Sequence, residues 1–221
     1  ALKGKYVGKR KLAEDAIYLE RELCQESGGW QDQIAAAYGG LNRIDFDAGD
    51  FKVTPIIIHP DRKKILDDNL MLFFTGVSRF SAEIQKDTLS HQHDKTAQLK
   101  EMLSLVSDAQ NILEDKHADI NDFGRLLDHT WNLKRRTGGK ISNSAIDAIY
   151  QQGLKAGALG GKLLGAGGGG FLLFYVEKEK QQQVIKALDG LMHVPFSFEN
   201  EGSTVIHYNP IVYIPRKEIN I

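Results

Sequence analysis

Apolar residues recur along much of this chain at the spacing of an α-helix. In residues 9–22, Leu12, Ala16 and Leu19 stand three or four positions apart, so they form one apolar face. The glycine pair Gly39-Gly40 is predicted to end a second, alanine-rich helix. The helices that this periodicity predicts cover residues 9–22, 31–38, 81–89, 94–114, 119–134, 143–157 and 180–188.

Other segments have the composition of strands. Runs rich in β-branched and aromatic residues predict strands at residues 42–51 (with a turn), 52–59, 69–75, 171–176, 195–199 and 204–208. Pro60-Asp61 is predicted to form a turn, and residues 160–170 a glycine-rich loop. The order of helices and strands predicts an α+β fold, with one domain at residues 1–77 and another at residues 78–221.

Composition and charge narrow the class of protein. With 42% hydrophobic and 26% charged residues, the 221-residue chain is typical of a soluble globular protein. A formal net charge of -1 gives no general attraction to nucleic acid or to anionic membranes. The longest apolar runs have about eight residues, too few to span a bilayer. Cys24 is the single cysteine, so no internal disulfide forms, and we expect a cytoplasmic protein in which Cys24 is a packing residue.

A glycine-rich segment at residues 160–171 is the strongest local signal of a functional site. It stands between a predicted helix and an apolar strand, where a flexible linker would be polar and unflanked. Glycines permit positive φ angles and let the backbone approach a ligand or a second loop closely. The segment is therefore either part of a phosphate-binding site or a tight buried turn that makes room for packing.

Asp32 follows Gly28-Gly29 and stands in the first turn of a predicted helix. The helix dipole stabilises a carboxylate there, so a purely structural role is one interpretation. The other interpretation is catalytic. Asp32 would accept a proton from a substrate hydroxyl, whose oxygen then attacks a nucleoside triphosphate.

Two further segments offer groups that bind anions. Residues 76–81 follow an apolar strand and contain Arg79 and Ser81, which provide a guanidinium group and a hydroxyl. Residues 131–136 end in three basic side chains, the first of them Lys134. The alternative for this second segment is a basic helix end that its own dipole stabilises.

Taken in order along the chain, these segments resemble the GHMP kinase family. Residues 162–171 are similar to the third sequence motif of that family, and residues 29–33 to the segment that carries its catalytic aspartate. Within the family the likeness is greatest to the heptose 7-phosphate kinases, and it covers nearly the whole chain. The resemblance implies the C-terminal part of an S5-like N-terminal domain, followed by a ferredoxin-like α/β-sandwich C-terminal domain.

The resemblance also implies roles for individual residues. Asp32 matches the catalytic aspartate, and Glu20 on the preceding helix lies near the position of the family's magnesium-binding glutamate. The side chains implied to bind the phosphate of a sugar phosphate are Arg79, Ser81 and Lys134. The residues implied to support the phosphate loop are Gly167, Gly168, Gly169 and Gly170.

The implied activity is transfer of the γ-phosphoryl group of ATP, with Mg²⁺, to the anomeric hydroxyl of D-glycero-D-manno-heptose 7-phosphate. The 1,7-bisphosphate product would lead to nucleotide-activated heptose for lipopolysaccharide or an S-layer. The alternatives are a fucose- or galactose-type sugar kinase and a non-catalytic sugar-phosphate-binding module. We expect small-molecule partners, with a homodimer as the one protein assembly considered, and neither nucleic acid nor membrane.

One element of the family is missing from these residues. Its second motif, a loop of the form Pro-x-x-x-Gly-Leu-x-Ser-Ser, surrounds the ATP phosphates at a helix N-terminus. No such loop occurs in the 221 residues, and the resemblance places it shortly before a segment like residues 1–20. We therefore expect the C-terminal part of a kinase, which reaches ATP through an N-terminal region and lacks kinase activity by itself.

Overall fold

Helices and strands alternate in a mixed α+β arrangement, as the sequence predicts. The computed structural model describes residues 6–26, 28–76, 96–138, 141–165 and 167–207. Its α-helices are α1 (Lys9–Tyr18), α2 (Gln31–Tyr38), α3 (Pro60–Asn69), α4 (Thr96–Glu114), α5 (Asn121–Arg135), α6 (Ser144–Lys155) and α7 (Gln181–Ala187). Its strands are β1 (Asn42–Asp47), β2 (Asp50–Pro55), β3 (Leu70–Phe74), β4 (Gly160–Leu163), β5 (Phe171–Tyr175) and β6 (Met192–Val194). A π-helical turn (Leu19–Leu23) continues α1, and a 3-10 turn (Lys178–Lys180) precedes α7.

The N-terminal elements α1, α2, β1 and β2 share a small core. β1 and β2 form an antiparallel hairpin whose turn contains Gly49, with a left-handed φ of 80°. The apolar residues that join the hairpin to the two helices are Ala13, Ile34, Ala37 and Phe51, surrounded by Ile17, Trp30, Tyr38, Ile44 and Val53. This core fixes α2, and with it the position of Asp32 at the beginning of that helix.

The remaining strands form one antiparallel sheet in the order β4-β5-β3-β6. Aromatic side chains dominate the core on this sheet: Phe73, Trp131, Tyr150 and Phe174 are fully buried. The rings of Tyr150 and Phe174 stack with centroids 5.6 Å apart, which joins α6 to β5. β3 belongs to the first half of the chain, yet it pairs with β5 and β6. The domain division between residues 77 and 78 stays a prediction, and β3 makes its strand pairs across that division.

Pro60 begins helix α3, and the turn predicted at this position is wrong. Proline suits the first helical position because its fixed φ is helical and its missing N–H would have no partner there. The side chain of His59 caps the helix by accepting a hydrogen bond from Asp61 N over 3.3 Å. The strand predicted up to residue 59 accordingly ends at Pro55.

Two predictions in the C-terminal half are also wrong. Residues 160–163, predicted as part of the glycine-rich loop, form strand β4. Glycine at position 160 lets this strand lie directly on α5, because a Cβ atom there would be 2.0 Å from Gly124 O. Residues 195–207 contain neither of the two predicted strands. Their backbone instead makes hydrogen bonds to the end of α2, such as Gly40 N to Glu199 O over 2.7 Å. Tyr208 lies outside the described residues.

The other helix predictions are confirmed to within a few residues, and the one at residues 81–89 lies outside the described part. Cys24 is exposed where the π-helical turn ends, so its prediction as a packing residue is wrong. Among the residues described, no helix combines the length and the apolar character needed to cross a bilayer.

Candidate active site

An open groove of about 330 Å³ contains both carboxylates that the sequence predicts to act in catalysis. Glu20 reaches the groove from the π-helical turn after α1, and Asp32 from the first turn of α2. The residues that line it are Leu12, Ala16, Glu20, Asp32, Gln33, Ala36, Ala37 and Ser203. The packing of α1 against α2 therefore brings Glu20 and Asp32 to one site.

Asp32 is exposed at the positive end of α2. The first amide N–H groups of a helix have no partner within the helix, so a carboxylate or another anion is favoured beside them. Within the described ranges, no basic side chain forms an ion pair with Asp32. Its oxygens are thus open to a ligand in the groove.

Gln33 holds the carboxylate of Glu20. Its side-chain Nε2 donates a hydrogen bond to Glu20 Oε2, which links α2 to the π-helical turn. The Oε1 atom of Gln33 is buried, and no donor for it stands in the described part of the chain. The reversed amide would turn that oxygen towards the carboxylate, so the charge on Glu20 fixes the orientation of Gln33. Sequence reasoning missed this contact, although Gln33 directly follows Asp32.

The π-helical turn places Glu20 beside the double glycine. Cys24 N donates to Leu19 O over 2.9 Å, and Glu26 N donates to Glu20 O over 3.0 Å, so the chain curls back before α2. A Cβ atom on Gly28 would lie 3.6 Å from Glu20 Oε1. Turns of this kind are frequent at functional sites.

The C-terminal segment 199–203 packs against the other end of α2. Ser203 donates to Ala36 O through its backbone N over 2.8 Å and its Oγ over 3.0 Å. Lys9 Nζ bridges from α1 to Tyr38 O and Glu201 O. The backbones of Gly39 and Gly202 approach so closely that a Cβ atom on Gly39 would lie 2.0 Å from Gly202 N. The segment joins the C-terminal half of the chain to the helix that carries Asp32.

Lys134 contacts the glycine-rich loop between β4 and β5. Its Nζ donates to Gly165 O over 2.7 Å. The loop is further held by Gly168 N, which donates to Ile141 O over 2.9 Å, and by Thr75 Oγ1, which donates to Gly170 O over 2.8 Å. Lys134 is thus grouped with the glycine-rich loop, whereas the groove of Glu20 and Asp32 has a different lining.

Two lysines near this loop are electrostatically coupled. Burial, and after it the positive charge of Lys162, lower the pKa of Lys134 to about 8. Burial also lowers the pKa of Lys162. Arg135, next along α5, has its own counter-ion in Asp147 at 3.1 Å. Sequence reasoning named Lys134 but not Lys162, and Arg79 and Ser81 lie outside the described residues.

Comparison with known proteins finds that this chain is similar to kinases. Residues 108–193 match the family described as GHMP kinases C terminal. The D-glycero-alpha-D-manno-heptose 7-phosphate kinase of Campylobacter jejuni is 31% identical over 208 residues, which are 89% of this chain and 59% of that protein. The L-fucokinase/L-fucose-1-P guanylyltransferase of Bacteroides fragilis is 29% identical over 171 residues, 72% of this chain and 17% of that protein. The chain thus spans about three fifths of the heptose kinase's length.

A solved structure of a heptose-phosphate kinase has the same fold as this chain. The crystal structure of a D-glycero-D-manno-heptose 1-phosphate kinase from Bacteroides thetaiotaomicron superposes with a TM-score of 0.66 at 26% identity. The superposition covers 90% of this chain and 56% of that one. The α+β fold of these kinases, which the sequence motifs predicted, is thereby confirmed.

Proposed function

We propose that this chain, which carries a GHMP kinase C-terminal domain at residues 108–193, contains the acceptor site and the catalytic carboxylate of a sugar-phosphate kinase. The proposed acceptor is D-glycero-D-manno-heptose 7-phosphate, and the proposed product is the 1,7-bisphosphate. The observation that carries the proposal is that Glu20 and Asp32 line one groove, with Asp32 at the positive end of α2. Cytoplasmic action on the way to nucleotide-activated heptose is part of the same proposal.

Asp32 is proposed to accept the proton of the acceptor hydroxyl. Its exposed carboxylate has no described ion-pair partner, so it is free to accept a hydrogen bond from a sugar hydroxyl in the groove. As the hydroxyl oxygen bonds to the γ-phosphorus of ATP, the bond from that phosphorus to the β–γ bridging oxygen breaks and ADP leaves. The beginning of α2 adds backbone N–H groups that favour negative charge at this point.

The groove suits the magnesium ion that ATP chemistry requires. Mg²⁺ is bound in proteins by one or two carboxylates together with water and substrate phosphates. Glu20 and Asp32 provide two carboxylates in the groove. Glu20 would hold the ion with the oxygen that Gln33 leaves open. When bound, the ion would neutralise charge on the ATP phosphates.

We expect Glu20→Gln to weaken metal binding at least tenfold, about 1.4 kcal/mol, because the amide removes a negatively charged ligand of similar shape. The measurement is Mn²⁺ binding followed by electron paramagnetic resonance, which does not require turnover. Glu22→Gln, an exposed residue of the same turn, is the matched control. Equal Mn²⁺ affinity in the two variants would remove Glu20 from the metal site.

Lys134 is proposed to bind the phosphate that the sugar acceptor already carries, with Arg79 and Ser81 as further proposed contacts. A pKa of about 8 means that Lys134 loses its charge just above neutral pH. A phosphate ester is already a dianion at pH 7, since its second pKa is about 6. Sugar-phosphate affinity is therefore expected to fall about tenfold between pH 7 and pH 9, as Lys134 deprotonates.

Calorimetric titration with mannose 6-phosphate at the two pH values measures this effect. In Lys134→Met, binding is expected to be weaker at pH 7 and to change less with pH. Affinity that stays constant up to pH 9 in the unsubstituted chain would show that Lys134 does not contact the phosphate.

ATP turnover is proposed to need a loop that these residues do not contain. The family's Pro-x-x-x-Gly-Leu-x-Ser-Ser loop is absent from the 221 residues, so we expect them to bind sugar phosphate without hydrolysing or transferring from ATP. A coupled ADP-release assay on the purified chain tests this, and turnover at a rate normal for sugar kinases would overturn it.

A panel of acceptors tests the substrate. In a protein that carries both this chain and an ATP-binding loop, heptose 7-phosphate is expected to give the highest kcat/KM. Heptose 1-phosphate belongs in the panel because one similar structure bears that substrate in its name. Fucose and galactose test the second candidate, which the 29% identity to a fucokinase favours. A preference for an unphosphorylated sugar would refute the heptose-phosphate assignment, and sugar-phosphate binding without any turnover would favour a binding module.

A further inference from the structure

Lys134 and Lys162 stand on two elements that pack together, the last turn of helix α5 and strand β4. Lys134 is anchored there by the hydrogen bond from its Nζ to Gly165 O. Lys162 lies on β4 two positions after Gly160, which faces α5, and side chains two positions apart in a strand share a face. Gly165, whose carbonyl accepts the bond from Lys134, follows Lys162 by three residues, so β4 and the loop after it bring the two lysines into one region.

The carboxylates around this pair have other partners. Asp128 accepts hydrogen bonds from Tyr150 OH over 2.7 Å and from Asn132 Nδ2 over 3.1 Å. Asp147 pairs with Arg135. In the part of the chain that the structure describes, no carboxylate forms an ion pair with either lysine.

Two partly buried cations without a counter-ion are unfavourable. Burial lowers the pKa of both lysines, and the charge of Lys162 lowers the pKa of Lys134 further. A bound anion would replace the lost hydration and remove the repulsion. The arrangement is thus one that a ligand of opposite charge stabilises.

We propose that Lys162 joins Lys134 in a subsite for the phosphate group that the sugar acceptor carries. That the phosphate belongs to a sugar rests on the proposed function. A phosphate monoester carries about −1.5 to −2 charges at pH 7, which matches two ammonium groups. Lys162 therefore determines specificity, because an unphosphorylated sugar leaves the two charges unbalanced.

The alternative role for Lys162 follows from the position of β4 at the edge of the sheet. A lysine on an edge strand keeps molecules from pairing strand to strand. In that role its removal would promote aggregation and leave phosphate binding unchanged. The two roles therefore predict opposite results in a binding experiment.

The test compares Lys162→Met, Lys162→Arg and Lys155→Met with the unsubstituted chain, using calorimetric titration with inorganic phosphate at pH 7. Lys155 is an exposed lysine at the end of α6 and is the control. Lys162→Met is expected to weaken phosphate binding at least tenfold, whereas Lys162→Arg and Lys155→Met stay close to the unsubstituted chain. The unfolding temperature of Lys162→Met should be unchanged or higher, because the variant removes an unbalanced cation.

Equal phosphate affinity in Lys162→Met and Lys155→Met would overturn the proposal, as would a dissociation constant above about 10 mM for the unsubstituted chain. A lower unfolding temperature together with unchanged phosphate affinity would assign Lys162 a structural role. The titration needs neither ATP nor a particular sugar. Phosphate binding that depends on Lys162, in a protein that phosphorylates no sugar phosphate, would therefore refute only the proposed function.

Discussion

Asp32→Asn is expected to lower kcat by roughly 10²–10⁴-fold, the range over which a positioned general base accelerates a reaction. Asparagine has the shape of aspartate and still contacts a hydroxyl, but it cannot take up the proton. Binding of the sugar phosphate should therefore remain within about twofold of the unsubstituted value. Turnover is measured by ADP release in a protein that also carries an ATP-binding loop, and binding by calorimetry.

Asp61→Asn is the matched control for this variant. Asp61 stands in the first turn of α3, as Asp32 does in α2, and both are exposed. Loss of a carboxylate at either position removes a similar favourable interaction with a helix dipole, about 0.3–1 kcal/mol. Only Asp32→Asn should affect kcat. If Asp32→Asn keeps its turnover, then Asp32 only stabilises the beginning of α2, which was the structural interpretation of the sequence.

Gly39→Ala is expected to destabilise the chain by about 2–6 kcal/mol, because backbone strain and overpacking each contribute about 1–3 kcal/mol. The residue ends α2 with φ 61° and ψ 175°, a conformation that is almost restricted to glycine. Its new Cβ would lie 2.0 Å from Gly202 N and 2.5 Å from Glu201 C. These are backbone atoms, so the contact is relieved only if segment 199–203 leaves α2.

Chemical denaturation followed by circular dichroism measures the loss of stability, and limited proteolysis reports whether residues 199–203 have become accessible. Gly49→Ala is the control, since Gly49 also has a positive φ, 80°, but nothing within 4 Å of the added Cβ. It should lower the free energy of unfolding by about 1–2 kcal/mol, the strain alone. An equal loss in both variants would show that the contact between Gly39 and Gly202 contributes nothing to stability.

The helices were predictable because their signal is local. Residues 31–38, 119–134 and 143–157 show apolar periodicity within one segment, and each became a helix with nearly those bounds. The strand and turn predicted at residues 42–51 were similarly visible, although β2 begins at Asp50, inside that segment, and not at residue 52. Such patterns show which side of a helix or strand faces the core, because side-chain direction repeats at a fixed period along neighbouring residues.

Pro60 and the C-terminal segment show where this reading fails. Pro60-Asp61 is compatible with a β-turn as well as with the start of a helix. The helix forms because its later residues pack against the core, where Leu66 is buried. Residues 195–199 have the composition of a strand, but the sheet already has β6 beside β3. The segment satisfies its backbone on α2 instead, a partner far away in the sequence.

Among the site residues, Asp32 and Glu20 were identified through family motifs, and their roles stay predictions. Nothing in the sequence indicated that Gln33 would bond to Glu20, or that Ser203 would line the same groove. In the sequence, Lys162 was only one residue of a glycine-rich segment. Its importance appeared once β4 had formed against α5 and brought it to Lys134.

The sequence by itself indicated the resemblance to GHMP kinases, the α+β class, most of the helices and the carboxylates considered for catalysis. It did so because side-chain periodicity and short motifs are properties of neighbouring residues. The tertiary structure decided the pairing of β3 with β5 and β6, the docking of residues 199–203 on α2, and the grouping of Lys162 with Lys134. These contacts join residues far apart in the chain, and they depend on which surfaces remain to be covered when the elements pack together.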